Sequence, residues 1–470
     1  MLLIFRVLSS VLLLKMERST RTTAVKNGYS KAANGKPPAA SEEKVSYMSA
    51  YPGLMVSPLL LLCPIFGVLF VYIIVELDGG LQQLLNQSGA LHKIIADHIL
   101  GSKTSWAIIG SFAAFQLVLM RVLPGKIVDG PLTPKGNTPK YKANGMLAFI
   151  VTLLVFCSLA FTGLINPAIV YDNFIDIIGG LTLFSIVFVL ILYIKGSIAP
   201  SSTDNSVSGN FMFDYFWGTE LYPRILGWDV KMFTNCRFGL MGWAVLILCY
   251  AFKQYSVYGF VSDSMIVSVG IQLVYIAKFF QWEMGYMKSL DIMHDRAGFY
   301  ICWGCLVWVP SVYTSQSLYL VKHPNELGLP LASLILIAGI LSVLINYQAD
   351  YQRELTRNTN GNCLIWGQRP KLIQATYQTK TGETKKSLLL LSGWWGVARH
   401  FHYLPELGTA FLWSVPALFD NPLPYFYFVF LTILLVHRSM RDDERCKEKY
   451  GDYWSAYCKE VPYKIIPYVF

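Results

Sequence analysis

Leu329-Pro-Leu-Ala-Ser-Leu-Ile-Leu-Ile-Ala-Gly-Ile-Leu-Ser-Val-Leu-Ile-Asn-Tyr-Gln348 runs for twenty residues without a charged side chain. At about 1.5 Å rise per residue, such a helix measures roughly 30 Å, the thickness of a bilayer's hydrocarbon core. No water is present there to satisfy an open backbone, so the segment must be helical. Comparable blocks recur near 55–77, 106–123, 146–168, 177–195, 238–256, 264–282, 297–320, 386–418 and 424–437. The block 386–418 is interrupted by polar residues and Pro405, and reads as a bent helix, two short helices or a re-entrant segment. The pattern predicts an all-α polytopic membrane protein with about ten transmembrane helices. Composition excludes a disordered chain: 54% of residues are hydrophobic and 14% charged, against about 25% charged in soluble domains.

Basic residues set the expected orientation, because cytosolic loops retain Lys and Arg. The connections 121–145, 196–237, 284–296 and 349–385 collect most of them, whereas the opposite side holds Lys93, Lys103 and Lys322. Both termini are therefore expected in the cytosol. The formal charge of +10 reads as topology, and no nucleic-acid partner is expected. Residues 1–50 read as a flexible cytosolic N-terminal segment, since 16–47 carry Ser, Thr, Lys, Asn, Gly and Pro with few large apolar side chains. Met1–Leu14 is short, apolar and broken by Arg6, which suggests an interfacial segment. The membrane domain is expected over 51–470. Nine cysteines without a framework spacing imply no disulfide scaffold, and the Cys302-x-x-Cys305 pair reads as packing, with no metal site expected.

Common soluble cofactor and hydrolase signatures are absent from the sequence. Three polar-aromatic runs remain at or inside the apolar blocks, where ionisable groups are expensive enough to suggest function. The first joins Tyr275 and Glu283 to Asp291, His294, Asp295 and Arg296; it reads either as an acid–base cluster or as a connection with ordinary polar caps. The second is Arg353-x-x-x-Arg357. The i, i+4 spacing places both guanidinium forks on one helix face, suited to a phosphate or diphosphate, or equally to anchoring at a membrane edge. The third is Leu390-Leu-Ser-Gly-Trp-Trp-Gly-Val-Ala-Arg-His-Phe-His-Tyr403 together with Arg441-Asp-Asp-Glu-Arg-Cys446 and Lys449-Tyr-Gly451. Trp394, Trp395 and Tyr403 offer flat faces, and Arg399, His400 and His402 offer donors, as an aromatic, anionic ligand such as a dinucleotide requires. An interfacial aromatic belt accounts for the tryptophans equally well, but not for Arg-His-x-His.

These motifs resemble the sterol reductases that include delta-7 and delta-14 sterol reductases and the membrane domain of the lamin B receptor. Further landmarks are Leu123-Pro-Gly125, Gly218-Thr-Glu-Leu-Tyr-Pro-Arg224, Asp229-x-Lys231 and Val461-Pro-Tyr463, so the likeness covers roughly 50–470. Gly393–Tyr403 and Arg296–Trp308 are closer to the delta-7 branch, particularly its plant-type members.

The resemblance implies an NADPH-dependent oxidoreductase of sterol biosynthesis in the endoplasmic reticulum membrane, with the cofactor and sterol pocket in the C-terminal half, about 264–470. Carried over by motif, the cofactor contacts are Arg353, Arg357, Leu390, Trp395, His402, Tyr403, Asp442, Cys446, Lys449, Tyr450 and Tyr457. Arg353 stands where many relatives have Lys, and His402 where Asn is common. The implied reaction reduces the carbon 7–8 double bond of delta-5,7-sterols, such as 7-dehydrocholesterol. Its candidate proton source is Tyr275, alone or supplied by Glu283, Asp291 and His294. The sterol would arrive from the lipid phase, with membrane lipid and other sterol-biosynthetic enzymes as partners. Three alternatives compete: a delta-14 reductase, a non-catalytic sterol-binding receptor, and a membrane methyltransferase using S-adenosylmethionine, whose C-terminal pattern is similar.

Overall fold

The structure, a computed structural model, describes residues 52–470 apart from 134 and 379–383. The expected N-terminal segment and its Met1–Leu14 stretch lie outside the described residues. Among the described residues seven helices are long and apolar enough to cross a bilayer: Val56–Val75, Lys103–Val122, Phe174–Ile198, Met232–Tyr258, Asp263–Gln281, Leu329–Asn358 and Leu423–Tyr450. Gly145–Phe161 is equally apolar but has 17 residues. The block over 297–320 forms three pieces: Phe299–Trp303 is α-helical, Gly304–Tyr313 takes π geometry around Pro310, and Ser315–Leu320 returns to α. Proline has no N–H to donate and crowds the preceding turn, and a wider turn accommodates it.

The stretch 386–418 departs from a span. Thr384–Leu390 is a strand paired antiparallel with Leu372–Gln378, from Leu372 opposite Leu390 to Gln378 opposite Thr384. One 3-10 turn follows at Gly393–Gly396, then a helix at Tyr403–Ser414 whose 12 residues are too few to cross a bilayer. The run Leu388–Leu391 looks like the start of a span because it is apolar without interruption. In the hairpin it meets a partner instead: Ala375, Leu389 and Leu391 pack with Tyr450, Trp454, Tyr457 and Val461. Lys385 and Lys386 remain exposed.

The chain divides into two units, one formed by residues up to Phe260 with Phe279–Lys322, the other by Val261–Lys278 with His323–Phe470. In the first, polar groups are buried in pairs. Arg237, on the π-wound Met232–Leu240 segment, is fully buried and holds both carboxylate oxygens of Glu283, with Asn144 Oδ1 accepting from the same guanidinium at 2.9 Å. Lys231 donates to three carbonyls, Leu221 at 3.2 Å, Ile292 at 2.7 Å and Asp295 at 2.6 Å, and so fastens the 284–296 connection to the start of that segment. Gly218 (φ +96°) and Gly298 press backbone to backbone, leaving no room for a Cβ at either.

In the second unit, Asp263 opens its helix by accepting from the Leu327 and Gly328 amides at 2.9 and 2.8 Å. Gly339 lets the Leu329–Asn358 helix approach Ile271. Ser268 donates to the Trp413 carbonyl at 2.8 Å. These contacts bring Asp263–Lys278, Leu329–Asn358 and Tyr403–Ser414 together, with Phe426–Tyr450 and Asp452–Glu460 closing the end that bears the hairpin.

Candidate active site

Helical spacing places Asn346, Ala349, Arg353 and Arg357 along one stripe of Leu329–Asn358. The Gly393-Trp-Trp-Gly396 turn is laid against this stripe. Gly393 (φ +63°) permits it, because a Cβ there would strike Gln352 and Ile365. Trp394 is then held by Gln352 and Gln348, its amide donating to Gln352 Oε1 at 3.0 Å and its indole to Gln348 Oε1 at 2.8 Å. Trp395 donates to the Ala349 carbonyl at 2.7 Å. The Arg353 guanidinium lies 4.5 Å from the Trp395 ring centroid, a cation–π contact that leaves its N–H edges available. Asp350 is its carboxylate partner at 3.3 Å.

The loop after this turn adds the remaining rings. His402 lies 5.0 Å from Trp395 and 4.3 Å from Tyr403, and His400 stacks on Tyr403 at 5.1 Å with an interplanar angle of 9°. Asp442 approaches His400 Nε2 at 4.0 Å. Two buried imidazole nitrogens, His400 Nε2 and His402 Nδ1, have no hydrogen-bond partner among the described residues. Burial disfavours the charged form of both rings: His400 is lowered to about 4, and His402 well below its ordinary value, with Arg353 pushing in the same direction. Tyr457 donates to the Trp395 carbonyl at 3.1 Å, and burial raises its phenol.

Arg399 fastens the loop from behind. It donates to the Val461 and Pro462 carbonyls at 2.7 and 2.9 Å and faces Asp443 at 3.4 Å, while the Arg399 and His400 amides bond to the carbonyls of Tyr463 and Lys464. The segment 461–464 is thereby a strap across the loop.

The sequence-derived residues fall into three neighbourhoods. Arg353, Trp395, His402, Tyr403, Asp442 and Tyr457 form one cluster. Beside it, Lys449 lies over the rings of Tyr377 (4.2 Å) and Tyr450 (4.8 Å), Leu390 ends the hairpin strand, and Cys446 packs against the hairpin core. Arg357 joins the two, since the groups acting on it electrostatically are Arg353, Tyr450, Cys446 and Tyr377. The third neighbourhood is Tyr275, whose hydroxyl donates to Glu406 Oε1 at 2.6 Å, with the Trp413 ring edge-on at 5.4 Å.

Glu283, Asp291 and His294 belong to the other unit and are separately engaged there. Glu283 is taken up by Arg237, Asp291 acts electrostatically on Lys231 and Tyr286, and the exposed His294 faces Asp295 at 3.2 Å. Sequence reasoning missed Glu406, Lys278, Asn346 and Arg438. Lys278 donates to Asn346 at 2.5 Å, Asn346 donates to the His402 carbonyl at 2.8 Å, and Arg438 acts on both His402 and Tyr403. Arg438 stands in the sequence three residues before the Arg441–Cys446 run. Taken together, this unit offers cations and flat rings suited to a phosphate-bearing aromatic ligand, beside a phenol–carboxyl pair suited to proton transfer.

Known proteins resemble this chain over most of its length. The profile of the Ergosterol biosynthesis ERG4/ERG24 family matches residues 43–470. A 7-dehydrocholesterol reductase of Arabidopsis thaliana is 54% identical over 415 residues, covering 88% of this chain and 96% of the relative. One from Xenopus laevis is 39% identical over 374 residues, 77% of this chain and 79% of the relative. A Delta(14)-sterol reductase of Methylotuvimicrobium alcaliphilum is 37% identical over 369 residues, 78% of this chain and 84% of the relative. A multi-pass membrane protein with this motif set and this coverage belongs to the ERG4/ERG24 family of sterol reductases.

Proposed function

We propose that this chain reduces the carbon 7–8 double bond of delta-5,7-sterols with NADPH, in the endoplasmic reticulum membrane and with both termini cytosolic. The observation that carries the reading is the arrangement within one unit of an Arg353–Trp395 pair beside His402 and Tyr403, and of a hydrogen-bonded Tyr275–Glu406 pair. The donor set fits the nucleotide: Arg353, Arg357 and Lys449 suit phosphates, and His402 Nδ1, which has no hydrogen-bond partner among the described residues, suits a polar ligand. NADPH, when bound, supplies a hydride.

What this chain must add is a proton, because an isolated sterol alkene is too poor an electrophile for hydride attack. Protonation of carbon 8 leaves a cation at carbon 7 that is allylic with the carbon 5–6 double bond, which accounts for a diene substrate. In this reading Tyr275 is the acid. Glu406 and the edge of Trp413 fix its ring, and the rings of Trp413 and Tyr427, stacked at 5.6 Å, add electron-rich walls. Arg353, Arg357 and Lys449 hold anionic groups, and the strap at 461–464 keeps His402 and Tyr403 in place. The sterol enters from the lipid phase, and membrane lipid and other sterol-biosynthetic enzymes are its neighbours.

Membranes containing the chain, incubated with NADPH and 7-dehydrocholesterol, are expected to lose the conjugated diene's ultraviolet absorbance. Because one relative is a Delta(14)-sterol reductase, a delta-8,14-sterol is assayed in parallel. Turnover of that substrate alone replaces delta-7 by delta-14 specificity, and turnover of neither overturns the proposal.

A further inference from the structure

We propose that Glu406 is the relay that returns a proton to Tyr275 after each turnover. This rests on Tyr275 being the acid of the reaction proposed above.

The geometry is a pair of lines of polar contacts within one unit, one joining Tyr275 to Glu406 and one joining Lys278 to the loop. Tyr275 Oη and Glu406 Oε1 are 2.6 Å apart. Lys278 lies three residues beyond Tyr275 on the same helix, hence on the same face. Its ammonium donates to Asn346 Oδ1 at 2.5 Å, and Asn346 Nδ2 donates to the His402 carbonyl at 2.8 Å, so this second line ties the helix bearing Tyr275 to the loop carrying His402 and Tyr403. Asp350 acts electrostatically on Glu406. Tyr275, Lys278 and Glu406 are all half-buried, whereas Asn346 is buried between them and the loop.

A phenol that has protonated a carbon is left as a phenolate, and an anion away from water is costly unless it is neutralised. Glu406 stands at hydrogen-bond distance to do this. In the proton-donating step the Tyr275 O–H bond breaks and the carbon 8–H bond forms, and the electron pair of that O–H bond stays on the phenolate oxygen. In the relay step the Glu406 O–H bond breaks as the Tyr275 O–H bond re-forms. The carboxylate of the half-buried Glu406 then takes a proton from water. The net input is one proton from water, and no electrons move in the relay.

Glu406→Gln separates the relay from simple positioning, because the amide still hydrogen-bonds Tyr275 but cannot pass a proton on. Its affinity for 7-dehydrocholesterol, read from tryptophan quenching, is expected to match the wild type. With NADPH it is expected to form one product per enzyme in a rapid burst and then to turn over about 100-fold more slowly. Wild-type steady-state turnover in Glu406→Gln, with Tyr275→Phe inactive, overturns the relay and leaves the proposed function standing. Sterol binding without any burst also overturns it, since Glu406 would then be needed within the first turnover. If Glu406→Gln binds no sterol, Glu406→Asp is used: it keeps the proton one methylene farther away, and a normal burst with slowed steady state supports the relay, whereas an unchanged steady state overturns it. Failure of the wild type itself to consume the diene refutes the underlying reading instead.

Discussion

Arg353 lies over the face of Trp395, 4.5 Å from its centroid, while the Trp395 indole is tied to the Ala349 carbonyl one turn earlier on the same helix. The stack fixes the guanidinium plane and leaves its edge available for a bidentate contact. A lysine at this position keeps the charge but loses the fork. Arg353→Lys is expected to raise the NADPH concentration needed for half-maximal rate several-fold. Arg357→Ala is expected to raise it by about tenfold or more, since a charged hydrogen bond is worth about 1.5–3 kcal/mol. Initial rates at fixed sterol measure both, and unchanged values would remove the two arginines from phosphate binding.

Tyr275→Phe deletes one oxygen and leaves the ring against Trp413. Turnover is expected to vanish while NADPH still binds, which equilibrium titration of the purified variant reads directly. Retained turnover would take Tyr275 out of the chemistry.

The buried Arg237–Glu283 pair makes a prediction about folding. Removing one partner from a buried ion pair strands the other and costs about 3–5 kcal/mol. Glu283→Gln is therefore expected to lower the thermal midpoint and the yield of folded protein, and Gly145→Ala to do likewise, because a methyl there strikes the Glu283 carboxylate. A Glu283→Gln protein of normal thermal stability that lacks turnover would instead return Glu283 to the acid–base machinery.

Acid sensitivity follows from His400. Its folded-state pKa is lowered by burial from 6.5 to about 4. Between these values the unfolded chain binds more protons, so stability falls as pH drops from about 6.5 toward 4 and is independent of this group above 6.5. His400→Phe keeps a flat ring against Tyr403 and removes the titration. Thermal midpoints in detergent are expected to fall less with acid in this variant than in the wild type, and parallel curves would contradict the assignment.

The sequence disclosed Arg353, Trp395, His402 and Tyr403 because helical spacing and a Gly-bounded Trp-Trp turn carry their own geometry. It disclosed the long spans for the same local reason, an apolar run of membrane length. The hairpin at Leu372–Gln378 and Thr384–Leu390 was hidden, since Leu388–Leu391 takes its conformation from a strand and from Tyr450, Trp454 and Tyr457, all remote in sequence. Glu406 was hidden for another reason: an acid in the first turn of a helix after Pro405 looks like ordinary terminus chemistry, and its partner Tyr275 is 131 residues away. Glu283 shows the converse, a buried acid in a suggestive run whose partner Arg237 accounts for its burial.

Locating the two added hydrogens tests the central claim most directly. With NADPH carrying deuterium on the transferable position of its nicotinamide, the account predicts label at carbon 7 of the product. With unlabelled NADPH in heavy water, it predicts label at carbon 8. Nucleotide-derived deuterium at carbon 8, or none in the product, would contradict it.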